Sequence, residues 1–250
     1  MILMKKIFNL CFFLLVSLVI FPASKTKKVT FGKKADPKKM ELVFILDRSG
    51  SMGGLESDTI GGFNSVLEKQ RKDKNGQVNV TTVLFDNEYE LLHSKIPIQQ
   101  VKPLTEKEYF VRGSTALLDA IGKTISQVKA EQNKLNSKER SEKILFVIIT
   151  DGMENASKEY TVNAVKKLIS EQKEKENWEF LFLGANIDAI KTAESFGIEK
   201  SRAAQYKSDS IGTQLNYDSI NNAVEEFRLN NKVNDSWKDK IEEDVKKRGK

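Results

Sequence analysis

Three oxygen-bearing side chains occupy alternate positions in the stretch FILDRSGSM, residues 44–52. Asp47 ends a run of apolar residues, and Ser49 and Ser51 follow it. A carboxylate and two hydroxyls this close together suit two structures. They can form a polar turn that caps the next helix, or they can be ligands for a hard cation, which prefers oxygen donors. The spacing alone leaves both interpretations open.

Two later segments supply oxygen atoms of the same kind. Thr115 lies in the segment GSTAL, and Asp151 follows the apolar run ILFVIIT and precedes a glycine. Two carboxylates and three neutral hydroxyls form a donor set made only of oxygen, which predicts Mg²⁺ or Mn²⁺. Such a set leaves the cation partly uncompensated, so we expect it to bind a further carboxylate.

Strands and helices alternate along the chain from residue 40 onward. Apolar runs predict strands at residues 40–47, 78–85, 88–96, 144–151, 178–184 and 202–206. Apolar residues at helical spacing predict helices at residues 57–72, 115–129, 161–173, 187–196 and around 220–227. The pattern predicts an α/β fold: a doubly wound, mostly parallel sheet flanked by helices. Asp86 and Asn87 form a turn between the second and third strands, which predicts one antiparallel edge strand.

The predicted sheet places the polar residues together. Ligands of open α/β sheets bind beyond the carboxyl ends of the strands. Asp47 and Asp151 each end a strand, and Thr115 is expected at the mouth of the loop that leads into a helix. We therefore expect these residues and the two serines at one edge of the sheet.

In these segments the sequence resembles the von Willebrand factor type A family. The metal-ion-dependent adhesion site (MIDAS) of that family is written D-x-S-x-S, then a Thr, then the Asp of T-D-G. The stretches DRSGS, GSTAL and TDG match it in order, at Asp47, Ser49, Ser51, Thr115 and Asp151. The resemblance covers roughly residues 40–230, and the stretches TDGMENAS and FLGANIDA look like a bacterial branch. It implies a Rossmann-like fold, bound Mg²⁺ and a protein partner that offers a carboxylate to the metal.

Three further residues are candidates for the rim of a partner-binding surface. Glu154 and Asn155 come shortly after Asp151, and Asn186 follows the strand predicted at residues 178–184. Each has a simpler explanation. Glu154 and Asn155 can lie where the chain enters a helix, and Asn186 can be a turn residue.

Charge and cysteine content exclude several classes of protein. The chain has 250 residues and a formal charge of +6, but its first 40 residues hold nine lysines and one acid, Asp36. That segment carries +8, so the remainder carries −2. The excess positive charge lies in the N-terminal segment, residues 1–40, and not in the predicted domain. This distribution argues against nucleic-acid binding. Since Cys11 is the one cysteine, neither an internal disulfide nor a cysteine-based metal cage can form.

The order of segments predicts four regions. Residues 1–24 join two lysines, an apolar run and a small-residue end, as in a signal peptide or an N-terminal membrane anchor. Residues 25–39 are a lysine-rich linker, either a solvated spacer or a contact for anionic lipid headgroups. Residues 40–230 form the domain, and residues 231–250 are a charged C-terminal tail that we expect to fray. The protein is expected to be membrane-anchored or secreted; the alternative is a cytoplasmic protein whose N-terminal helix is buried.

The expected function is metal-dependent binding of a protein partner, as an adhesion or scaffold module. The alternative is a metal-dependent hydrolase, in which the same cation activates water. Hydrolysis needs a general base beside the metal, and Glu154 is the one candidate near the motif. The only histidine, His93, lies in the predicted edge strand, and no G-x-S-x-G or phosphate-binding loop occurs. We therefore expect no enzymatic activity.

The N-terminal segment leads to a prediction about location. Cell fractionation should place the full-length protein in the membrane or outside the cytoplasm, because an apolar run after lysines directs export. Removal of residues 1–24 should leave the protein in the cytoplasm. A full-length protein found wholly in the cytosol would contradict this prediction.

Overall fold

Six strands form one sheet at the centre of the structure, a computed structural model that describes residues 39–73 and 76–249. They are β1 (Lys39–Asp47), β2 (Gln77–Phe85), β3 (Tyr89–Pro97), β4 (Lys143–Thr150), β5 (Glu179–Gly184) and β6 (Ala203–Gln205). Their order is β3-β2-β1-β4-β5-β6, and β3 pairs antiparallel with β2 while the other neighbours are parallel. The predicted sheet and its antiparallel edge strand are confirmed. The predicted leader and, apart from Lys39, the predicted linker lie outside the described residues.

Helices cover both faces of the sheet, which explains why the central strands read as unbroken apolar runs. In β1, Leu42, Phe44 and Leu46 pack on one face of the sheet, and Val43 and Ile45 pack on the other. The helices are α1 (Glu56–Lys72), α2 (Leu117–Lys134), α3 (Val162–Glu176), α4 (Ala189–Ser195), α5 (Ser210–Asn230) and α6 (Asp239–Arg248). Residues of α1, α5 and α6 belong to the first core, and residues of α2, α3 and α4 to the second. Across the two described ranges, no helix has the length and apolar character needed to cross a bilayer.

The C-terminal segment differs from the expected fraying tail. Residues 231–250 include a 3₁₀ turn at Asp235–Lys238 followed by α6. The side chains of Trp237 and Ile241 are buried in the core that lies under α1 and α5, and the Trp237 indole N–H donates to the carbonyl of Ser201 at 2.9 Å. Val233 is buried in the same core, so three apolar anchors dock an otherwise charged segment, and each buried side chain contributes roughly 1.5–3 kcal/mol.

Candidate metal centre

Three loops bring hydroxyl and carboxylate oxygens into contact at the carboxyl edge of the sheet. One follows β1, one precedes α2 and one follows β4. The Thr115 hydroxyl donates to Ser49 Oγ at 3.0 Å. The Ser49 and Ser51 hydroxyl oxygens are 3.1 Å apart, and Ser51 Oγ donates to Asp151 Oδ1 at 2.6 Å. Four of the five predicted ligands therefore form one continuous chain of oxygen atoms.

The fifth predicted ligand, Asp47, is fixed beside this chain. Its Oδ1 accepts a hydrogen bond from the backbone N–H of Ser49 at 2.7 Å, and its Oδ2 accepts one from the Thr150 hydroxyl at 2.5 Å. Its carbonyl accepts from the Tyr109 hydroxyl at 2.5 Å. Thr150 ends β4, which pairs directly with β1, so the sheet itself orients the Asp47 carboxylate.

Most of the cluster is buried. Asp47, Ser49 and Asp151 are each 1% exposed and Thr115 is 3% exposed, whereas Ser51 is exposed. The burial of Thr115 differs from its expected place at the mouth of the loop. The reason is that the segment after β4 folds over it: the backbone N–H groups of Asn155 and Ala156 both donate to the Thr115 carbonyl.

Burial sets the electrostatics of the site. It raises the pKa of the Asp47 carboxyl to about 6, although hydrogen bonds from Thr150 and Ser49 act against this. Burial also raises the pKa of Asp151. Neither carboxylate forms a salt bridge with any lysine or arginine of residues 39–73 and 76–249. Both would gain from a cation that the described part of the chain does not supply.

The donor chemistry fits a hard divalent cation. Within the described residues, no group of three or more His, Cys, Asp or Glu side chains could hold a metal. A metal at this edge would therefore need hydroxyl ligands beside the two carboxylates. Oxygen-only sets of this kind suit Mg²⁺ and Mn²⁺, which retain waters in their remaining positions.

Glu154 holds the start of α2. Its Oε2 accepts from the Leu118 N–H at 2.8 Å and from the Ser157 hydroxyl at 2.7 Å. Its Oε1 accepts from the backbone N–H groups of Ala156 and Ser157. A carboxylate at a helix N-terminus satisfies free N–H groups. This capping explains why α2 begins at Leu117 and not at residue 115 as predicted.

The other two rim candidates occupy different settings at the same edge. Asn155 is exposed, and its Oδ1 accepts from the Thr115 N–H at 2.9 Å, so it holds the Thr115 loop. Asn186 is also exposed and has φ +53°, a left-handed conformation common for asparagine in turns. These positions agree with the simpler explanations from the sequence. Their part in binding a partner stays a prediction.

Asp86 was missed as a site residue. The sequence suggested only a turn, but Asp86 is fully buried and its Oδ2 accepts from Arg48 Nε at 3.0 Å and Arg112 Nε at 2.7 Å. Its carbonyl accepts from the Ala116 N–H at 2.9 Å. Asp86 thus joins the loop after β1 to the loop before α2. Close approach here requires Gly113, at φ +65°, because a Cβ would lie 1.9 Å from Asn87 Oδ1.

Ser208 was missed as well. It lies in the loop between β6 and α5, and its hydroxyl donates to Asp151 Oδ2 at 3.2 Å. Since Ser51 donates to the other oxygen, both oxygens of Asp151 are oriented by serines. No motif surrounds Ser208, so only the tertiary contact identifies it.

Comparisons with known proteins address the fold. No protein-family model matches the sequence, and no curated protein matches it at a significant level. Proximal thread matrix protein 1 (PTMP1) from the mussel byssus, with a zinc-occupied MIDAS motif, matches with a TM-score of 0.51 and 14% identity over 74% of this chain and 45% of that chain. The chain thus spans less than half the length of the PTMP1 chain.

Two other solved structures are similar at slightly lower TM-scores. Manganese-loaded TRAP protein of Plasmodium vivax has a TM-score of 0.49 and 14% identity over 72% of this chain and 73% of that chain. The PilB minor pilin of Streptococcus sanguinis has a TM-score of 0.49 and 10% identity over 77% and 62%. With the topology described above, the PTMP1 match shows a von Willebrand factor type A-like α/β fold.

The raised pKa of Asp47 predicts how the metal-free protein responds to pH. Between about pH 4 and pH 6 the folded state keeps a proton on Asp47 that the unfolded state has lost. The free energy of unfolding in EDTA should therefore fall as pH rises through this window, by up to about 3 kcal/mol from this group. Urea unfolding of wild type and Asp47→Asn at several pH values measures the effect. The variant should lack this part of the slope, and equal slopes in both proteins would contradict the prediction.

Proposed function

We propose that this protein is a metal-dependent protein-binding module with an adhesion or scaffold role. A bound Mg²⁺ or Mn²⁺ accepts a carboxylate from a protein partner. The proposed ligands are Asp47, Ser49, Ser51, Thr115 and Asp151. The observation that carries the proposal is the continuous oxygen cluster at the carboxyl edge, with two buried carboxylates that have no cation from the described part of the chain.

The chemistry of the donors supports the choice of metal. PTMP1, which shares the fold, was solved with zinc in its MIDAS motif, and this favours a divalent cation here. Zinc sites usually include nitrogen or sulfur ligands, whereas the cluster in this chain offers only oxygen. Mg²⁺ or Mn²⁺ is therefore the better match.

The exposure of the cluster supports a macromolecular ligand. Its buried side is closed by the sheet, while Ser51 and its neighbours Gly50, Gly53 and Gly54 are exposed. A carboxylate that projects from another protein can approach from this side. The chain's own residues then have two tasks: they hold the cation in a fixed place, and they exclude water from all but the open side. The bound cation supplies the positive charge that attracts the incoming carboxylate.

The contacts of Glu154 favour binding over hydrolysis. The hydrolase alternative needs a general base, and Glu154 was its one candidate. Both oxygens of that carboxylate accept hydrogen bonds at the start of α2, so using it as a base would disturb the contacts that cap this helix. We propose that the protein is not an enzyme.

The setting of the module follows from the sequence. We propose that it acts outside the cytoplasm, anchored to a membrane or secreted, because of the leader at residues 1–24. The lysine-rich linker offers contact with anionic headgroups. The negative formal charge beyond residue 40 gives no support to a nucleic-acid partner.

The proposal is tested by substituting Thr115, which removes or keeps one hydroxyl, and measuring the capture of protein partners. Thr115→Ala removes a buried ligand, whereas Thr115→Ser keeps the oxygen and serves as the matched control. Capture of native partners by the full-length protein should occur in Mg²⁺ and fail in EDTA. Thr115→Ala should weaken capture at least about ten-fold, since a contact between a neutral polar group and a charged group contributes roughly 1.5–3 kcal/mol. Thr115→Ser should retain most of it.

Two results would count against this function. Capture that ignores both EDTA and Thr115→Ala would contradict the role of the metal. Alternatively, a screen of ester, phosphate and peptide substrates could reveal turnover above a metal-only control. If Asp47→Ala eliminated that turnover, the hydrolase would replace the binding module.

A further inference from the structure

A polar cavity lies at the amino edge of the sheet, opposite the oxygen cluster. Its volume is about 210 Å³, and it opens between the last turns of α2 and α3, beside the loop that leads into β4. From Ile144, which lines the cavity, to Thr150 at the other edge, β4 extends about 20 Å. The cavity is therefore separate from the proposed metal centre. Its volume is below the roughly 300 Å³ at which most ligand pockets begin, so it suits a small molecule.

The wall of the cavity contains a buried amide without a partner. Gln172 is 2% exposed, and its Oε1 accepts no hydrogen bond from the described residues. Gln132, in the same wall, is fully used: its Nε2 donates to Glu41 at 2.7 Å and its Oε1 accepts from the Ser141 N–H at 2.9 Å. A buried acceptor that stays unpaired lowers stability. A ligand with N–H groups would supply the donor that Gln172 lacks.

Charges of both signs line the cavity without pairing. Arg140, Glu142 and Glu176 all line it, and none of them forms a salt bridge within residues 39–73 and 76–249. Arg140 Nε donates to a backbone carbonyl at 3.1 Å, which leaves the two terminal nitrogens of its guanidinium for a ligand. Lys129, the remaining charged residue of the lining, pairs with Glu171 at 3.6 Å. A ligand that carries both charges matches this set better than an anion or a cation alone.

A small apolar surface adjoins these polar groups. Trp178 is 6% exposed and stacks on Phe146, with ring centroids 5.4 Å apart, and Ile144 is 2% exposed. The stacking holds the indole ring in place. The cavity therefore offers a fixed apolar wall for a short aliphatic group.

We propose that this cavity binds a small zwitterion, namely a free amino acid with a short side chain. Its carboxylate pairs with the Arg140 guanidinium, a geometry that arginine favours. Its ammonium group faces the two glutamates and donates to the Gln172 amide, and its side chain packs beside Trp178. This inference goes beyond the metal-dependent function, because the cavity shares no residue with the oxygen cluster.

Calorimetry of the full-length protein with glycine, L-alanine and L-serine tests the proposal. At least one of them should bind, with the same affinity in Mg²⁺ and in EDTA. The analogue without the ammonium group and the analogue without the carboxylate, which for L-alanine are propionate and L-alaninamide, should each bind at least about ten-fold more weakly. Each analogue gives up the hydrogen bonds of one charged group.

Two variants connect the binding to the cavity. Gln172→Met removes the amide at similar volume, so it should weaken binding at least about ten-fold without lowering the free energy of unfolding in urea. Arg140→Gln should remove the preference for the amino acid over its amide. Gln214→Met is the matched control, because Gln214 is an exposed glutamine on α5, which packs on the other face of the sheet. It should bind as wild type does.

Four results would overturn the inference. The first is the absence of binding heat with all three amino acids at up to about 10 mM. The second is equal binding of either analogue, which would assign the cavity to a simple anion or amine. The third is binding that Gln172→Met leaves unchanged. The fourth is binding that EDTA abolishes, since it would place the carboxylate of the amino acid on the metal; failure of the proposed function would leave binding in this cavity intact.

Discussion

Two carboxylates buried at one sheet edge, without a cation from the described part of the chain, are the constraint on which the rest of the site depends. Burial of an unpaired charge is costly, and here it raises the pKa of both Asp47 and Asp151. The parallel pairing of β1 with β4 places these two strand ends side by side. The hydroxyls of Ser51, Thr150 and Ser208 relieve part of this cost by donating hydrogen bonds to the two carboxylates. A divalent cation would relieve more, because it interacts directly with the negative charge.

The surrounding residues keep the oxygen atoms in place. Asp86 ties the first loop to the second, and Glu154 and Asn155 tie the second loop to the third. Thr150 and Ser208 orient the two carboxylates. Outer residues of this kind usually set how well a metal site binds. Most of them are buried or satisfied by several hydrogen bonds, so the protein holds this geometry through its own contacts.

The sequence predicted the sheet, and it predicted that the five proposed ligands would meet at one edge, because both features produce local patterns. Strands buried on two faces give unbroken apolar runs, and the ligand motifs each occupy one short loop. The positioning residues gave no such signal. Asp86 contacts Arg48 and Arg112 across 38 and 26 residues, and Ser208 contacts Asp151 across 57. Composition also misled the prediction for residues 231–250, where three buried apolar side chains outweigh many surface charges.

The most direct measurement is calorimetric titration of the full-length protein with Mg²⁺ and with Mn²⁺. Wild type should bind both ions, and Asp47→Ala should lose the binding while its circular dichroism spectrum stays native. Glu194→Ala, which removes an exposed carboxylate on α4, should bind as wild type does. Undiminished binding by a folded Asp47→Ala variant would contradict the assignment of the metal to this cluster.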